Sequence, residues 1–233
     1  PLIVHAFLPR DAIGYRIQDT WDTLGMRATR SDDMILDGAF VPDHYIARIV
    51  PAGAVDAFVL GIFGWALLAF GGIYYSMAER ARDLAITSAK KRTSLGLTRP
   101  MAYHPEIQHL FAEMQLEIEA MGPHLDRIAH DWSTGVDHGG AWPMKIVAAK
   151  YHCVESAKRV VDLAMSASGG AGMFKSNELE RLYRDVRCGG FHPANPFLTH
   201  EIVGKPTLGI GLDEQPRWAE SVNSYHSRSA TDD

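Results

Sequence analysis

The chain has 233 residues, of which 46% are hydrophobic and 22% are charged, and its formal net charge is -5. This composition is typical of a globular protein with a sizeable core, and the acidic balance argues against a nucleic-acid-binding surface. The two cysteines, Cys153 and Cys188, are too few for a disulfide scaffold and form no Cys-x-x-Cys motif. We therefore expect a cytoplasmic protein without a thiolate zinc site.

Residues 1–50 carry β signals. An apolar run at residues 2–8, ended by Pro9, predicts a buried strand, and Asp37-Gly38 is a strong turn signal. Further strands are predicted at residues 14–17, 34–36 and 39–41, and Pro42 and Pro51 frame a linker. A lone strand is unstable in water, and these few strands do not complete a sheet. We therefore expect residues 1–50 to be the end of a β domain whose first part is absent.

The stretch from Ala57 to Tyr75 contains no charged residue. Nineteen apolar or small residues could cross a membrane or form the central helix of a bundle, buried on every side. No second apolar span follows, no basic flank marks an orientation, and the pattern continues into Glu79-Arg80. We therefore favour the buried helix and expect no membrane partner.

Three more helices are predicted. An apolar stripe runs from Ile107 to Trp132, a second begins near Trp142-Pro143 and ends before Gly169, and a short helix follows the cap residue Asn177. Long helices joined by short turns predict antiparallel packing. The fold prediction is thus mainly α: an up-down four-helix bundle over residues 51–212, preceded by a partial β domain (1–50) and followed by a polar tail (213–233).

Two motifs could bind an anion. Arg92 ends the first long helix within Arg92-Thr-Ser-Leu-Gly96; basic residues there oppose the helix dipole, but a guanidinium also suits phosphate or carboxylate. Gly169-Gly170-Ala171-Gly172 lies between two helices, where it serves either as a tight turn or as a close approach for a ligand. The motif is neither a Walker loop nor a dinucleotide fingerprint. From the motif alone the structural interpretation of Arg92 is favoured, and the glycine segment by itself is a weak signal of a ligand site.

His192 is a candidate acid/base, because a neutral imidazole can take or give a proton near pH 7. It lies in Gly189-Gly190-Phe191-His192-Pro193, after Arg184-Asp185. The alternative is a packed or capping histidine. His200-Glu201 lacks a second histidine at the zinc-protease spacing, so we expect no metal site.

In order along the chain, these motifs resemble those of the acyl-CoA dehydrogenase family. Trp21-Asp-Thr-Leu-Gly-Met-Arg-Ala-Thr29 and Leu36-Asp-Gly-Ala-Phe-Val-Pro42 look like the end of that family's middle β domain. Arg92-Thr-Ser-Leu-Gly96, Phe111-Ala-Glu-Met114, Ser168-Gly-Gly-Ala-Gly172 and Leu182-Tyr-Arg-Asp185 resemble motifs of its C-terminal bundle. The resemblance covers residues 19–209 and implies a truncated α/β/α architecture.

The resemblance also implies FAD as cofactor and a homo-oligomer, dimer or tetramer, that acts on an acyl-CoA or another small molecule. Arg92 would pair with the pyrophosphate of a neighbouring subunit's FAD, and Gly169 and Gly170 would let the backbone approach it. Leu95 and Gly172, in the same two motifs, would belong to this cofactor site. The implied reaction is α,β-desaturation of an acyl thioester in lipid metabolism, with hydride transfer to FAD.

The departures from the family pattern leave alternatives open. The usual catalytic glutamate falls at Pro193, and the stretch 57–75 offers no acidic replacement. His192 fits the flavin-dependent monooxygenases of the superfamily better than it fits a dehydrogenase. A third hypothesis is a non-catalytic subunit that completes a neighbour's FAD site. Since the flavin-facing strands are expected to be absent, we expect this chain alone to bind FAD weakly and to be inactive.

Overall fold

In the computed structural model, which describes residues 1–52, 56–212 and 214, a five-helix array carries a small β region at one side. The helices are α1 (Ala57–Lys91), α2 (Pro105–Ser133), α3 (Trp142–Ser168), α4 (Glu178–Arg187) and α5 (Pro196–Thr207). The strands are β1 (Leu2–Ala6), β2 (Tyr15–Ile17), β3 (Met34–Leu36) and β4 (Ile46–Pro51). The predicted polar tail lies, except for Glu214, outside the described residues.

The strands form two separate antiparallel pairs. β1 pairs with β4, with Leu2 opposite Pro51, and β2 pairs with β3, with Tyr15 opposite Leu36. The predicted linker at residues 42–51 is therefore wrong, because most of it is strand β4, whose alternation of intermediate and exposed positions weakened its apolar signal. The predicted strand at 39–41 is also wrong. Those residues follow the turn at Gly38 without entering a ladder.

β1 is not buried, contrary to the prediction. Leu2 is 70% exposed, Val4 52% and Phe7 69%. A two-stranded ribbon covers neither of its faces, so apolar strand residues here have no layer to pack against. The apolar run correctly marked the strand but not its burial.

The four predicted helices α1–α4 form the expected up-down bundle. Trp132 lies against Gly64 and Leu125 against Gly71, so α2 runs antiparallel to α1. Cys153 also lies near Gly71, and α3 runs parallel to α1. The α1–α3 contact is the most extensive in the bundle, and small residues on α1 are fully or almost fully buried there, namely Ala78, Ala81, Ala85 and Ala89. Residues without long side chains allow two helix backbones to approach closely.

The prediction that α1 is buried on every side is wrong. Ile62 is 55% exposed and Trp65 is 61% exposed, and only 28% of the most apolar 18-residue window of the helix is buried. α1 is also the one helix among the described residues that is long and apolar enough to cross a membrane. Its other face nevertheless packs into the bundle core through Leu67, Gly71 and Tyr74.

α5 was not predicted from the sequence. Its N-cap is Asn195, whose side chain accepts a hydrogen bond from the Leu198 N–H, and Pro196 occupies the first turn. Asn-Pro is a recognisable helix start, but the following twelve residues carry little amphipathic pattern. α5 packs on the first half of α3 and thereby holds one end of the loop that contains His192.

Candidate functional site

His192 lies in the short connection between α4 and α5 and faces α1. Its ring stacks on Phe70, with centroids 4.4 Å apart and planes 13° from parallel, and its Nε2 lies 2.9 Å from Tyr74 Oη. Tyr74 is fully buried and reaches the loop from α1. The loop histidine is thus held by an aromatic face on one side and a hydroxyl on the other.

The surroundings of His192 favour a neutral ring at pH 7. Burial lowers the pKa of His192, and the nearby Lys150 ammonium lowers this pKa further. Burial also raises the pKa of Tyr74, with a smaller contribution from Cys188 and Asp185, so the phenol stays protonated. A neutral imidazole beside a neutral phenol can accept or relay a proton without a charged partner.

A cavity of about 700 Å³ opens beside His192. Its lining includes aromatic rings from three parts of the chain, Trp21, Phe70 and Phe191, and none of the described lining residues is acidic. Pro193 lines a different cavity of about 320 Å³, whose walls are entirely apolar. The position expected for a catalytic glutamate therefore faces hydrocarbon.

The segment that follows Trp21 forms one wall of the larger cavity and docks on α4. The Met26 N–H donates to Asp185 Oδ1 at 2.7 Å, and Arg184 Nη1 donates to the Leu24 carbonyl at 2.9 Å. A side chain at Gly25 would collide with the α4 backbone, so glycine is needed for this close approach. Met26 has a left-handed backbone (φ 53), a strained conformation that the Asp185 bond helps to hold.

Arg92 and Gly169 meet at the C-terminal end of α1. Arg92 Nη2 donates to the Ala167 carbonyl at 3.0 Å and so satisfies the end of α3. Gly169 has φ 63, and a Cβ placed there would lie 2.5 Å from Arg92 Nη1. The buried Arg92 Nε has no hydrogen-bond partner among the described residues, so part of the guanidinium's donor capacity is unused.

The other predicted cofactor residues lie around this pair in different environments. A Cβ at Gly170 would contact nothing within 4 Å, so its backbone is open, and Leu95 is fully exposed. Gly172 is buried, and a Cβ there would lie 2.7 Å from Met165 Sδ, which assigns it to helix packing. The glycine-rich segment is a 3₁₀ helix (Gly169–Met173) rather than a simple tight turn.

The structure does not bring His192 and Arg92 together. Both contact α1, but a helix rises about 1.5 Å per residue, so Arg92 lies roughly 27 Å along the axis from Tyr74, the partner of His192. The predicted residues therefore form two half-sites, one at each of these positions.

Three residues of the His192 site escaped the sequence analysis. Tyr74 was hidden in an apolar helix, Phe70 carried no polar signal, and Lys150 lay within a long helical pattern. A lysine in the core-facing stripe of α3 was the one available clue, because unpaired lysines are rarely buried. Among the described residues, no group of three or more His, Cys, Asp and Glu side chains could hold a metal ion.

Comparison with known proteins gives consistent results. The acyl-CoA dehydrogenase C-terminal domain family matches residues 58–191. The chain is 32% identical to the putative acyl-CoA dehydrogenase YdbM of Bacillus subtilis (84% of this chain, 49% of YdbM) and 34% identical to the amino sugar nitrososynthase DnmZ of Streptomyces peucetius (80% and 46%). It has the fold of Streptomyces XiaF, solved with FADH2 and glycerol (TM-score 0.73, 21% identity, 87% of this chain and 55% of XiaF). The chain spans about half the length of the curated relatives it matches.

Proposed function

This chain belongs to the acyl-CoA dehydrogenase family, and from that premise we propose that it is part of a flavin-dependent monooxygenase in which His192 exchanges a proton with the substrate. The observation that carries the proposal is the His192–Tyr74 pair beside a cavity without an acidic residue among its described lining residues. Removal of a proton beside a thioester needs a positioned base, and Pro193 cannot supply one. A neutral imidazole, in contrast, suits proton exchange with an oxygenated substrate.

Two of the relatives support this proposal. DnmZ is named an amino sugar nitrososynthase, and XiaF was solved with FADH2, which is the reduced form of the flavin. YdbM bears the name of a putative acyl-CoA dehydrogenase, so identity alone does not separate the two chemistries. The side chains at the cavity are what favour oxygenation.

The residues present fit a flavin nucleotide. Arg92 offers a guanidinium with an unpaired Nε–H next to the open backbone of Gly170, a combination suited to phosphate. Trp21, Phe70 and His192 offer flat surfaces in a cavity large enough for a tricyclic ring. When bound and reduced, flavin supplies the electrons that activate oxygen.

Within this arrangement each side chain has a specific task. Phe70 fixes the plane of the His192 ring, and Tyr74 fixes its rotation through the bond to Nε2. The other ring nitrogen, Nδ1, is then available to take a proton from a substrate amine or hydroxyl or to return one.

The separation of the two half-sites supports a homo-oligomer. A single flavin on this chain would not be expected to contact both Arg92 and His192 across roughly 27 Å of helix. We therefore infer that Arg92 of one subunit serves the flavin whose ring lies beside His192 of another. A mixture of Arg92→Met and His192→Ala subunits tests this inference, because mixed oligomers would regain activity at the one site that contains both native residues.

The proposed function is tested with full-length protein, reduced flavin and oxygen against a panel of amino sugar nucleotides, phenols and acyl-CoAs. We expect an oxygenated product from one class, and loss of most product formation in His192→Ala. His109→Ala, at an exposed histidine on α2, is the matched control and should behave like the wild type. Unchanged product formation in His192→Ala would overturn the role of His192.

α,β-Desaturation is the second candidate, favoured by the identity to YdbM and by the apolar cavity beside Pro193, which could accept an acyl chain. The same protein, supplied with oxidised flavin, an acyl-CoA and an electron-accepting dye, separates the two chemistries. Dye reduction without oxygen consumption would support desaturation. If neither reaction occurs and the chain copurifies with an active homologue, the non-catalytic subunit hypothesis is supported instead.

A further inference from the structure

Lys150 is a buried cation that has no acidic partner of its own within the described part of the chain. It lies on α3, is 2% exposed, and its Nζ donates to the Gly189 carbonyl at 3.1 Å and to the Ala194 carbonyl at 3.0 Å. Glu155, whose charge acts on Lys150, instead pairs with Lys158 at 2.6 Å. Burying an ammonium group is costly unless strong hydrogen bonds replace its water, so its position at this site requires an explanation.

The two carbonyls that Lys150 binds lie on either side of His192. Gly189 belongs to the 3₁₀ turn (Cys188–Phe191) that ends α4, and Ala194 precedes the cap of α5. Thr199 Oγ1 also donates to the Ala194 carbonyl, at 3.2 Å. One side chain from α3 thus fastens both ends of the loop, while Phe70 and Tyr74 of α1 hold its middle.

We propose that Lys150 is the positioning residue of this loop: by joining the Gly189 and Ala194 carbonyls it fixes His192 in its stacked, hydrogen-bonded position. The relevance of Lys150 to catalysis rests on the proposed function of His192. The contact of Lys150 with the two carbonyls does not depend on that function and can be measured without flavin.

The electrostatics agree with this arrangement. Burial, followed by repulsion from Lys158, lowers the pKa of Lys150 to about 8, so the ammonium remains mostly protonated at pH 7. The charge in turn contributes to the lowered pKa of His192. Among the described residues, the titratable groups near this pair include Tyr74 from α1, Lys158 and Glu155 from α3, and Arg187 and Cys188, which line the cavity beside His192.

The test compares Lys150→Met with the wild-type chain. Methionine keeps the length and apolar volume of the stem but removes both donors and the charge. Lys158→Met is the matched control, because it removes a cation next to Gly190 without touching the two carbonyl bonds. The readouts are hydrogen exchange of residues 188–195 and NMR titration of the His192 imidazole.

In Lys150→Met we expect exchange of the loop to accelerate about tenfold or more, while core peptides of α1 and α3 stay unchanged. The pKa of His192 should rise towards its ordinary value. Lys150→Arg, which restores donors and charge, should recover the slower exchange. A loop that exchanges as in the wild type, an equal acceleration in Lys158→Met, or acceleration spread over the whole bundle would overturn the proposal.

A measurement on the wild-type chain covers the case in which Lys150→Met fails to fold. Since the pKa of Lys150 is lowered in the folded loop, deprotonation favours the closed loop, and loop exchange, corrected for the intrinsic effect of pH, should slow as the pH rises above about 8. No slowing between pH 8 and about pH 10 would contradict the contact of Lys150 with the two carbonyls. Neither experiment requires turnover, so failure of the oxygenation assay leaves this inference standing, and failure of this inference leaves the assay interpretable.

Discussion

The two half-sites on α1 are built on opposite principles. At the Arg92 end the binding groups are a guanidinium and open backbone near the end of α3, next to the exposed Leu95. At the His192 end the groups are aromatic rings, a neutral imidazole and a buried phenol around a cavity. The Arg92 half-site suits the binding of a ligand group with a permanent charge, whereas the His192 half-site suits proton transfer.

This difference explains why one long helix can carry both half-sites. α1 consists of apolar or small residues over its first half, where it faces His192, and carries Lys90 and Lys91 at its end, next to Arg92. α3 contacts both half-sites, through the Ala167 carbonyl at Arg92 and through Lys150 at the loop that contains His192. A change confined to one half-site therefore tests whether the two half-sites differ in this way.

The largest effect is expected at Gly169. Gly169→Ala places a Cβ at φ 63 and 2.5 Å from Arg92 Nη1, so it combines backbone strain with displacement of the guanidinium. We expect a loss of about 2–4 kcal/mol in the free energy of unfolding, measured by urea denaturation. Gly170→Ala, where a Cβ meets nothing, is the control and should lose less than about 1 kcal/mol. Equal losses would contradict the packing described for Gly169.

The next effect concerns ligand charge at the same end. Arg92→Met should weaken the binding of FAD or FMN by about ten- to a hundredfold, because charge-assisted bonds to phosphate are lost. Binding of riboflavin, which has no phosphate, should be unaffected in fluorescence titrations. Equal weakening of all three flavins would show that Arg92 does not act through phosphate.

Lowering the pH should affect only the half-site that contains His192. The pKa of His192 is lower in the folded than in the unfolded state, so its contribution to stability is present above the unfolded value near 6.5 and is lost as pH falls through the folded pKa. Hydrogen exchange of residues 188–195, corrected for intrinsic rates, should accelerate as the pH falls through the folded pKa of His192. Residues 167–170 should not respond, because arginine stays charged. In His192→Gln the acid response of the loop should disappear.

The smallest effect is expected for an ion pair that lies between the two half-sites. Arg80 on α1 pairs with Glu178 on α4 at 2.7 Å, and both side chains are partly exposed. Arg80→Gln should change the free energy of unfolding by less than about 0.5 kcal/mol, and the difference should shrink in high salt. A larger loss that persists in salt would show that the two ends are coupled through this ion pair.

The sequence was sufficient to predict four of the five described helices. Periodicity located α1–α4. The resemblance predicted that Arg92 and Gly169 share a cofactor site; the two residues are in contact, and their role towards a cofactor stays a prediction. What could not be predicted depended on tertiary contacts. Tyr74 and Phe70 look like ordinary core residues, and their role exists only because a loop over a hundred residues later folds onto them.

The errors have related physical causes. The prediction that α1 is buried on every side assumed that charge-free residues find cover within this chain, but Ile62 and Trp65 remain exposed. β1 was likewise predicted to be buried from its composition alone. Strand β4 was missed since its alternating pattern lies between two prolines that resemble linker punctuation. In each case local pattern indicated a conformation, whereas burial depended on neighbours that pattern does not specify.

The parallel arrangement of α1 and α3 has a consequence for synthesis on the ribosome. α1 is complete at Lys91, but α3, its main packing partner, ends at Ser168. At a typical rate of about 5–20 residues per second, α1 waits roughly 4–15 s for that partner. During this interval only α2 can cover the charge-free half of α1, so the α1–α3 pairing forms late, when α3 emerges.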